Sequence, residues 1–479
     1  MTQVDVSEFN RFSDWSAIHA VVAGIGVAGF ACADQLVHLG TRVTVVDAAD
    51  GERQRERADV LGVVGATVRL GDGDTLPQEA DVLVVSPGLP PSAPIILAAQ
   101  TQGVPVWGEL ELAWRLRGEN PAAWLMVTGT NGKTTTTLML ESILRAAGLR
   151  TASVGNIGAS LVDAVMDPNG FDVFAVEVGA PQLPFLHSAS PVASVCLNLA
   201  PDHVDLFGSY DAYRTAKARI YSNTQIAAVY NVQDPETEKM VEEADVVEGC
   251  RAIGFTLGMP GRSMMGVVED ILVDRAFIEN RADAALELGS VELVKPFAPH
   301  NVANALAAAA LARAYGVPAT AVAEGLTSFQ AAGHRIATVA DHDGIRWVDD
   351  SKATNCHAAQ TSLLAYESVV WIAGGMAKGQ EFDELVQLTG SRMRGVVLLG
   401  VDREKIREAF VRHAPDVPIA EVLRTDTGAM DDVVLAAAAM ATAGDTVLLA
   451  PGCASWDMFR DYAHRGDAFA DSINRLVLS

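Results

Sequence analysis

The sequence contains few cysteines and no long apolar run. Its 479 residues include five cysteines, which are scattered without CxxC or metal-ligand spacing, so we predict reduced thiols in a cytoplasmic protein. The first ten residues, MTQVDVSEFN, lack the basic and apolar regions of a signal peptide. The glycine-rich stretch 20–33 is too short for a membrane helix. We therefore expect no membrane insertion.

Basic residues are also scarce. Lysine and arginine number 35 against 60 acidic residues, which gives a formal net charge of −25 and argues against nucleic acid or an anionic membrane as a partner. Most of the excess carboxylates fit a solvated surface, and a phosphate ligand would need local lysines and Mg²⁺ to reverse the field. The length suits about three domains, and no internal repeat is evident.

The most informative segment is residues 127–135, VTGTNGKTT. It follows the apolar run 122–127, which predicts a buried strand, and precedes a helical pattern that should stop at Gly148. A strand, a glycine turn and a helix N-terminus direct backbone N–H groups at one point, which predicts a phosphate site. Lys133 would reach the outer phosphates, and Thr134 would bind Mg²⁺. Val127 replaces the first glycine of the Walker pattern, so the alternative is an unrelated turn.

The first predicted domain, residues 1–107, contains a second glycine loop. The strand 19–24 leads into Gly24-Ile25-Gly26-Val27-Ala28-Gly29 and a helix, and the next strand, 42–46, is followed by Asp47. This layout predicts a Rossmann-like βαβ unit that binds a diphosphate, which either NAD or a UDP-sugar would satisfy. The loop Ser86-Pro87-Gly88 follows the strand 82–85 and should lie at the same ligand-binding edge.

Residues 108–331 and 332–479 form the second and third predicted domains. The second carries the phosphate turn, several buried strands and an alanine-rich helix, 300–315, that should be packed on both sides. The third alternates strands (369–373, 395–399 and 446–450) with helices. We predict α/β layers with largely parallel sheets throughout.

Polar residues at strand ends are candidates for cation binding. Glu177 ends the apolar strand 174–176, where a carboxylate favours a metal or cationic partner over solvent. Asp202 and His203 follow the predicted strand 195–199 and could hold Mg²⁺ or its waters, although a histidine at such a strand end is, taken alone, more often a hydrogen-bonded edge residue.

Several further groups suit anions. Lys217 lies in a helix, where an exposed side chain is the default, whereas Lys352 and Lys378 follow strands within polar or glycine-rich turns. His334-Arg335 stands at a domain junction, where the arginine would bind a phosphate or form a salt bridge. Ser455 should begin a helix and donate a hydrogen bond, because the GxSxG pattern of a nucleophile is absent.

Together these motifs resemble the Mur ligases over nearly the whole chain. The resemblance rests on TGTNGKTTT, Glu177, the DHxD of 202–205, HNVxNALA from His300, DDSKATN and PGCASWDMF. DSKATN is similar to the branch of the family that adds D-glutamate. The resemblance implies an N-terminal Rossmann-like domain, a central P-loop ATPase-like domain and a C-terminal Rossmann-like domain.

The resemblance also implies the reaction. ATP would phosphorylate the terminal carboxylate of UDP-N-acetylmuramoyl-L-alanine, and the amine of D-glutamate would attack the acyl phosphate, in cytoplasmic peptidoglycan precursor synthesis. Two Mg²⁺ ions would assist, and the protein would act as a monomer. Lys133, Lys217 and His203 would be catalytic, and Lys217 matches the lysine that is carbamylated in this family.

Binding residues follow from the matching positions. For ATP they are Gly129, Thr130, Asn131, Gly132, Lys133, Thr134, Thr135, Asn304, Arg335 and Asp350. For the metal they are Thr134, Glu177, His203 and Lys217. For the UDP substrate they are Gly26, Val27, Ala28, Asp47, Ser86, Gly88, Asn156 and His203. For D-glutamate they are Lys352, Thr354, Lys378, Ser455 and Tyr462.

The chain departs from the family pattern after Glu177. Gly179-Ala180-Pro181-Gln182 stands where the family usually has Ser-Ser-Phe-Gln, and Ala48-Ala49 replaces polar residues near the expected uracil. The alternatives are a related ligase for another amino acid, an NAD(P)-dependent oxidoreductase based on the first glycine loop, and a binding protein without catalysis.

Overall fold

The computed structural model describes residues 4–202, 204–330, 333–334 and 336–478. The chain divides into two compact units, the first comprising Met1–Leu199 with Leu206–Phe329 and the second Ala200–Asp205 with Gln330–Ser479. In the described residues the first unit holds two β-sheets and the second unit holds one. Within those residues, none of the helices has both the length and the apolar character that crossing a bilayer requires.

The first sheet is a five-stranded parallel sheet in the order β3-β2-β1-β4-β5. Its strands are β1 (His19–Ala23), β2 (Arg42–Asp47), β3 (Thr67–Leu70), β4 (Val82–Val85) and β5 (Val106–Gly108). Its helices are α1 (Val27–His38), α2 (Glu52–Val64), α3 (Pro94–Thr101) and α4 (Glu109–Arg115). All five residues of β1 are buried, as expected for a central parallel strand covered on both faces.

The second sheet has nine strands in the order β14-β13-β12-β11-β10-β9-β6-β8-β7. The strands are β6 (Ala123–Thr128), β7 (Thr151–Gly155), β8 (Val173–Glu177), β9 (Ala193–Cys196), β10 (Ala227–Asn231), β11 (Arg251–Phe255), β12 (Met264–Val268), β13 (Ile271–Asp274) and β14 (Leu286–Ser290). Pairing is parallel from β7 to β12, and β13 and β14 are antiparallel.

In the described residues, seven α-helices accompany this sheet along the chain. They are α5 (Lys133–Ala146), α6 (Leu161–Met166), α7 (Val204–Phe207), α8 (Tyr210–Ala218), α9 (Pro235–Glu242), α10 (Pro299–Ala314) and α11 (Ala319–Ser328). Helix α10 is buried along most of its length, and its small alanine side chains let it pack closely against α5 and the sheet. The prediction that this helix is packed on both sides is confirmed.

A buried carboxylate on α4 joins the two sheets of the first unit. Glu111 is 0% exposed and accepts hydrogen bonds from the backbone N–H groups of His187 (2.8 Å) and Ser188 (2.9 Å), from Ser188 Oγ (2.7 Å) and from Arg115 Nε (2.7 Å). Burial alone would raise the pKa of Glu111, but the hydrogen bonds from Ser188 and His187 outweigh it and lower the pKa. The ionised carboxylate is therefore part of the fold.

The second unit contains a six-stranded sheet in the order β15-β16-β20-β17-β18-β19, and among its described strands only β15 pairs antiparallel. The strands are β15 (Ala337–His342), β16 (Ile345–Asp349), β17 (Val369–Gly374), β18 (Met393–Leu399), β19 (Ile419–Glu421) and β20 (Thr446–Leu449). The helices are α12 (Cys356–Leu363), α13 (Asp383–Thr389), α14 (Arg403–His413), α15 (Ala429–Met440) and α16 (Tyr462–Leu476).

Alternate residues of β17 enter two different hydrophobic clusters. Trp371 packs in one cluster, whereas Val370 and Ile372 pack in the other. Because the side chains of a strand alternate between faces, this sheet is covered on both sides. The predicted α/β architecture with largely parallel sheets is confirmed.

Two predicted elements differ from the structure. The strand predicted at 195–199 ends at Cys196, because the following residues turn to bond the phosphate loop through Asn198. Ser455 does not begin a helix. The helix begins at Tyr462, where the side chain of Asp461 caps it by accepting a hydrogen bond from the backbone N–H of His464.

Candidate functional site

The loop between β6 and α5 has the geometry of a phosphate site. The backbone N–H groups of Thr130 and Asn131 donate to Asn198, to its carbonyl oxygen (3.0 Å) and its Oδ1 (2.9 Å) respectively, which fixes the loop. Gly132 has φ +83°, and a Cβ there would lie 2.5 Å from Asn304 Oδ1. Within the described residues no side chain caps α5, so its N-terminal N–H groups suit an anion.

Two lysines converge on the backbone of this loop. Lys133 Nζ donates to the carbonyl oxygens of Gly129 and Thr130, both at 2.9 Å. Lys217 Nζ donates to the same Gly129 oxygen at 2.7 Å and to Thr128 Oγ1 at 3.4 Å. Lys217 is 1% exposed, so the default expectation of a solvent-exposed helix lysine is wrong. The reason is that α8 turns this residue toward the sheet, where Tyr213 is also buried.

Glu177 ends β8 and is buried, as predicted. Its Oε1 accepts a hydrogen bond from Asn156 Nδ2 at 2.8 Å, whereas its buried Oε2 has no hydrogen-bond partner in the described part of the chain. Glu177 is in register with Val127 of β6, so the carboxylate lies beside the strand that leads into the phosphate loop. An unpaired buried carboxylate oxygen fits a bound cation, since leaving it bare is costly.

Of the other predicted metal ligands, the structure describes Thr134 but not His203. Thr134 lies in the first turn of α5 and is half-buried. His203 lies outside the described residues. No three His, Cys, Asp or Glu side chains cluster as a metal site among the residues that the structure describes. The donor set available there is the hydroxyl of Thr134 and the carboxylate of Glu177, both hard oxygen ligands of the kind that Mg²⁺ prefers.

The segment that departs from the family pattern, residues 179–182, caps and begins a short 3₁₀ helix, Ala180–Phe185. Gln182 Oε1 accepts a hydrogen bond from the N–H of Gly179 at 2.8 Å. Its Nε2 is buried without a partner in the described residues. The turn stands beside Asn156, because a Cβ on Gly179 would lie 3.4 Å from Asn156 Oδ1. The Nε2 group of Gln182 is therefore a hydrogen-bond donor close to Asn156, which is predicted to bind the UDP substrate.

The glycine loop of the first sheet is closely packed. A Cβ on Gly29 would lie 1.8 Å from the carbonyl oxygen of Gly24, so only glycine allows α1 to approach the strand. Ser86 Oγ donates to the same carbonyl oxygen at 3.0 Å. Of the predicted residues, Gly26 is the N-cap of α1, Val27 and Ala28 begin the helix, and Gly88 follows in the Ser86 loop.

Asp47 holds this loop in place. Its carboxylate oxygens accept hydrogen bonds from the backbone N–H groups of Ile25 and Ala49, both at 2.8 Å. Arg57 of α2, which the sequence reasoning missed, donates from Nη1 to the carbonyl oxygen of Ile25 at 2.9 Å. No local pattern distinguishes Arg57 from Arg55 of the same helix, which pairs with Asp50 instead.

In the second unit, the DDSKATN segment follows β16 and is tied to α16. Ser351 Oγ donates to the backbone oxygen of Tyr462 at 2.7 Å. Lys352 Nζ lies 3.7 Å from the centroid of the Tyr462 ring. Asp350 accepts hydrogen bonds from Ser362 Oγ and, at 3.3 Å, from the N–H of Ile336. The predicted residues Lys352 and Tyr462 are thus in contact, and the hydrogen bond from Ser351 holds the backbone of Tyr462 beside them.

A second connection joins the Lys378 turn to the Ser455 turn. The backbone groups of Met376 and Ala454 exchange two hydrogen bonds, of 2.9 and 3.0 Å. Ser455 is buried, and Lys378 Nζ lies 4.2 Å from the centroid of the Trp456 ring. Two of the residues predicted for D-glutamate therefore lie on neighbouring turns.

Three predicted residues of this unit, Thr354, His334 and Arg335, remain to be placed. Thr354 lies in the turn before α12. His334 Nδ1 is 2.6 Å from Asp349 Oδ2, and its predicted neighbour Arg335 lies outside the described residues.

Arg465 is a residue that sequence reasoning missed. It is 1% exposed and donates hydrogen bonds to Ser351 Oγ (2.9 Å), to the carbonyl oxygen of Ser351 (2.8 Å) and to that of Cys453 (3.1 Å). Burial lowers the pKa of this guanidinium to about 10. Arg465 thus joins the DDSKATN and PGCAS segments. Its position inside an amphipathic helix gave no sign of that role.

Comparison with known proteins identifies the family. The model of the Mur ligase MurD-like N-terminal domain matches residues 18–108, that of the Mur ligase middle domain matches 127–312, and that of the Mur ligase glutamate ligase domain matches 334–453. The chain therefore has the three domains of this family.

Relatives and solved structures agree with this. The UDP-N-acetylmuramoylalanine–D-glutamate ligase of Streptomyces avermitilis is 58% identical over 464 residues, which cover 97% of this chain and 99% of the relative. The enzyme of the same name from Streptomyces coelicolor is 58% identical over 467 residues, with the same coverage. The structure of a pseudomurein peptide ligase type C from Methanothermus fervidus is similar in fold, with a TM-score of 0.59, 17% identity and coverage of 96% of this chain and 100% of that chain. The chain belongs to the Mur ligase family, whose enzymes are ATP-dependent ligases.

Proposed function

We propose that this protein joins D-glutamate to UDP-N-acetylmuramoyl-L-alanine in peptidoglycan precursor synthesis. The γ-phosphoryl group of ATP is transferred to the terminal carboxylate of the L-alanyl residue, and ADP leaves. The amine of D-glutamate then attacks the acyl carbon and loses a proton, and phosphate leaves as the C–O bond breaks. Phosphorylation is required because a carboxylate is a poor electrophile.

One observation carries the ATP-dependent part of the proposal. Lys133 and Lys217 both donate to the carbonyl oxygen of Gly129. Glu177 is the last residue of β8, which pairs with β6, the strand that leads into this loop. In a chain of net charge −25, this local concentration of cations, together with the N-terminus of α5, provides a place for a triphosphate.

Each residue of the loop has a proposed task. The N–H groups at the start of α5 hold the phosphates, and Lys133 releases its loop carbonyls to neutralise the transferring group. Thr134, Glu177 and His203 would hold Mg²⁺, with Lys217 as a ligand if it is carbamylated. Bound Mg²⁺ supplies charge neutralisation at the phosphoryl group. Asn304, Arg335 and Asp350 stay predicted ATP contacts.

The substrate assignments follow the other two loops. The uridine diphosphate group is assigned to the glycine loop, with Asp47 acting through the backbone that it fixes and Asn156 facing the muramoyl part. D-Glutamate is assigned to Lys352, Thr354, Lys378 and Ser455, with Tyr462 beside them. Two ammonium groups suit an amino acid with two carboxylates. The 58% identity to enzymes named for D-glutamate supports this choice of amino acid.

Three further assignments are part of the proposal. The domains are 1–107 for the UDP substrate, 108–331 for ATP and 332–479 for the amino acid. The protein is cytoplasmic, where its nucleotide substrates are made. It acts as a monomer.

The test is phosphate release from ATP in the presence of UDP-N-acetylmuramoyl-L-alanine and one of five amino acids: D-glutamate, L-glutamate, L-alanine, L-lysine or meso-diaminopimelate. Release with D-glutamate alone is expected. Release with a different amino acid would overturn the assignment of the pocket. Absence of release with all five, together with a nicotinamide absorbance change on addition of NAD(P)H, would favour the oxidoreductase alternative.

A further inference from the structure

Trp456 is an exposed aromatic residue beside a lysine of the proposed amino-acid site. Its side chain is 62% exposed, whereas the preceding Ser455 is 2% exposed. Lys378 Nζ lies 4.2 Å from the centroid of its ring, within the range of a cation–π contact.

The turns that carry both residues are fixed in place. Met376 and Ala454 exchange two backbone hydrogen bonds, so the Lys378 turn and the Trp456 turn form one structure. Asp457 Oδ2 accepts a hydrogen bond from the N–H of Val401 at 3.0 Å, which anchors the residue after Trp456. The backbone before and after Trp456 is therefore held in place, and the ring contacts Lys378 from that fixed turn.

Lys378 is held in an unusual way. Its φ of +52° is a left-handed conformation that non-glycine residues rarely adopt. No carboxylate in the described part of the chain forms an ion pair with Lys378, although acidic residues outnumber basic ones by 60 to 35. Its cation instead faces the π-system of Trp456, which attracts the ammonium group without neutralising its charge.

We infer that Trp456 is a positioning residue that presents the ammonium group of Lys378 to a carboxylate of the amino-acid substrate. The indole face limits the rotamers of the lysine before the substrate binds, so less entropy is lost on binding. This inference rests on the proposed function, because it takes Lys378 as a carboxylate-binding residue.

The test measures steady-state kinetics of the full-length enzyme with each of the three substrates varied. Trp456→Leu removes the π-face, and we expect the KM for D-glutamate to rise about two- to tenfold, the scale of ordering one long side chain. The KM values for ATP and for the UDP substrate should not change. Trp456→Phe retains an aromatic face and should restore the KM to within about twofold of the wild type. Leu435→Ala, at another exposed apolar residue of the same unit, is the matched control and should have no effect.

Lys378→Met separates the inference from the proposed function. If Lys378→Met raises the KM for D-glutamate but Trp456→Leu does not, the role of Trp456 is overturned and the pocket stands. If Lys378→Met leaves that KM unchanged, the assignment of the pocket itself fails. If Trp456→Leu raises all three KM values together with a lower melting temperature, its role is structural and the inference is overturned.

Because Trp456 is the exposed tryptophan among the described residues, D-glutamate should also change the intrinsic fluorescence of the wild type but not that of Trp456→Phe.

Discussion

Replacing Glu177 by glutamine should stabilise the protein without ligands and inactivate it. Glu177 is 2% exposed, and its Oε2 has no hydrogen-bond partner in the described residues. A buried polar group without a partner costs about 1–3 kcal/mol, and a charged one costs more. The amide keeps the bond from Asn156 to Oε1 and places a neutral unpaired group where the carboxylate oxygen was, which costs less than a charged one, so we expect the melting temperature of the unliganded protein to rise by about 2–5 °C.

The same change should remove the response to magnesium. If Glu177 holds Mg²⁺, the wild type is stabilised by about 2.7 kcal/mol when the free ion is at 100 times its dissociation constant. Glu177→Gln should lose most of that increase in melting temperature. Phosphate release with all substrates should fall about a hundredfold or more, the scale for removing one preorganised charge-stabilising group.

Glu111→Gln is the matched control, since Glu111 is a second buried glutamate of the same unit. Each of its carboxylate oxygens accepts two hydrogen bonds, and an amide nitrogen in place of either oxygen would face two donors. We expect the free energy of unfolding of this variant to fall by at least about 2 kcal/mol, which lowers its melting temperature. Its melting temperature should still rise on addition of Mg²⁺.

Differential scanning fluorimetry with and without MgCl₂ and a phosphate-release assay measure all of these effects. The proposed role of Glu177 is refuted if Glu177→Gln melts below the wild type and still shows the full Mg²⁺-dependent increase in melting temperature. In that case Oε2 would not be an unpaired, cation-binding oxygen.

Three further predictions use the same assays. Lys217→Ala should be inactive and regain part of its activity with added acetate, because a small carboxylate replaces a carbamate; full activity without acetate would make Lys217 a structural lysine. Arg57→Gln should raise the KM for the UDP substrate about threefold to tenfold by removing a charged hydrogen bond that holds the glycine loop, whereas Arg55→Gln, whose partner is Asp50, should not. The lowered pKa of Glu111 means that its stabilising contribution is complete above its ordinary pKa of 4.5 and is lost as the pH falls through its lower folded-state pKa. Wild-type stability should therefore fall more steeply below about pH 4.5 than that of Glu111→Gln, and parallel curves would contradict this.

Local sequence patterns predicted much of the fold and part of the site. The strand 82–85 has the predicted bounds, and the helix after the phosphate loop stops where Gly148 adopts φ +78°. These features depend on residues close together in the chain, such as β-branched runs and glycines that end helices. The strand-end position and burial of Glu177 were predictable for the same reason.

Other features could not be predicted because they depend on residues far apart in the chain. The helix of Lys217 looks like a solvent-exposed helix, but its ammonium group is buried on a loop that lies 88 residues away in sequence. Ser455 was placed in a helix that begins only at Tyr462. Neither Arg465, which lies 114 residues from Ser351, nor Arg57 carries a local signal.

The sequence by itself determined the order of strands and helices, the glycine turns and the family, because these are properties of short segments and of their order. The tertiary structure decided which cations meet which backbone oxygens and which carboxylate oxygen stays without a partner. It also decided which lysine faces an aromatic ring. These pairings depend on how parallel strands bring their carboxyl ends to one edge, and that arrangement is set by packing across the whole sheet rather than by neighbouring residues.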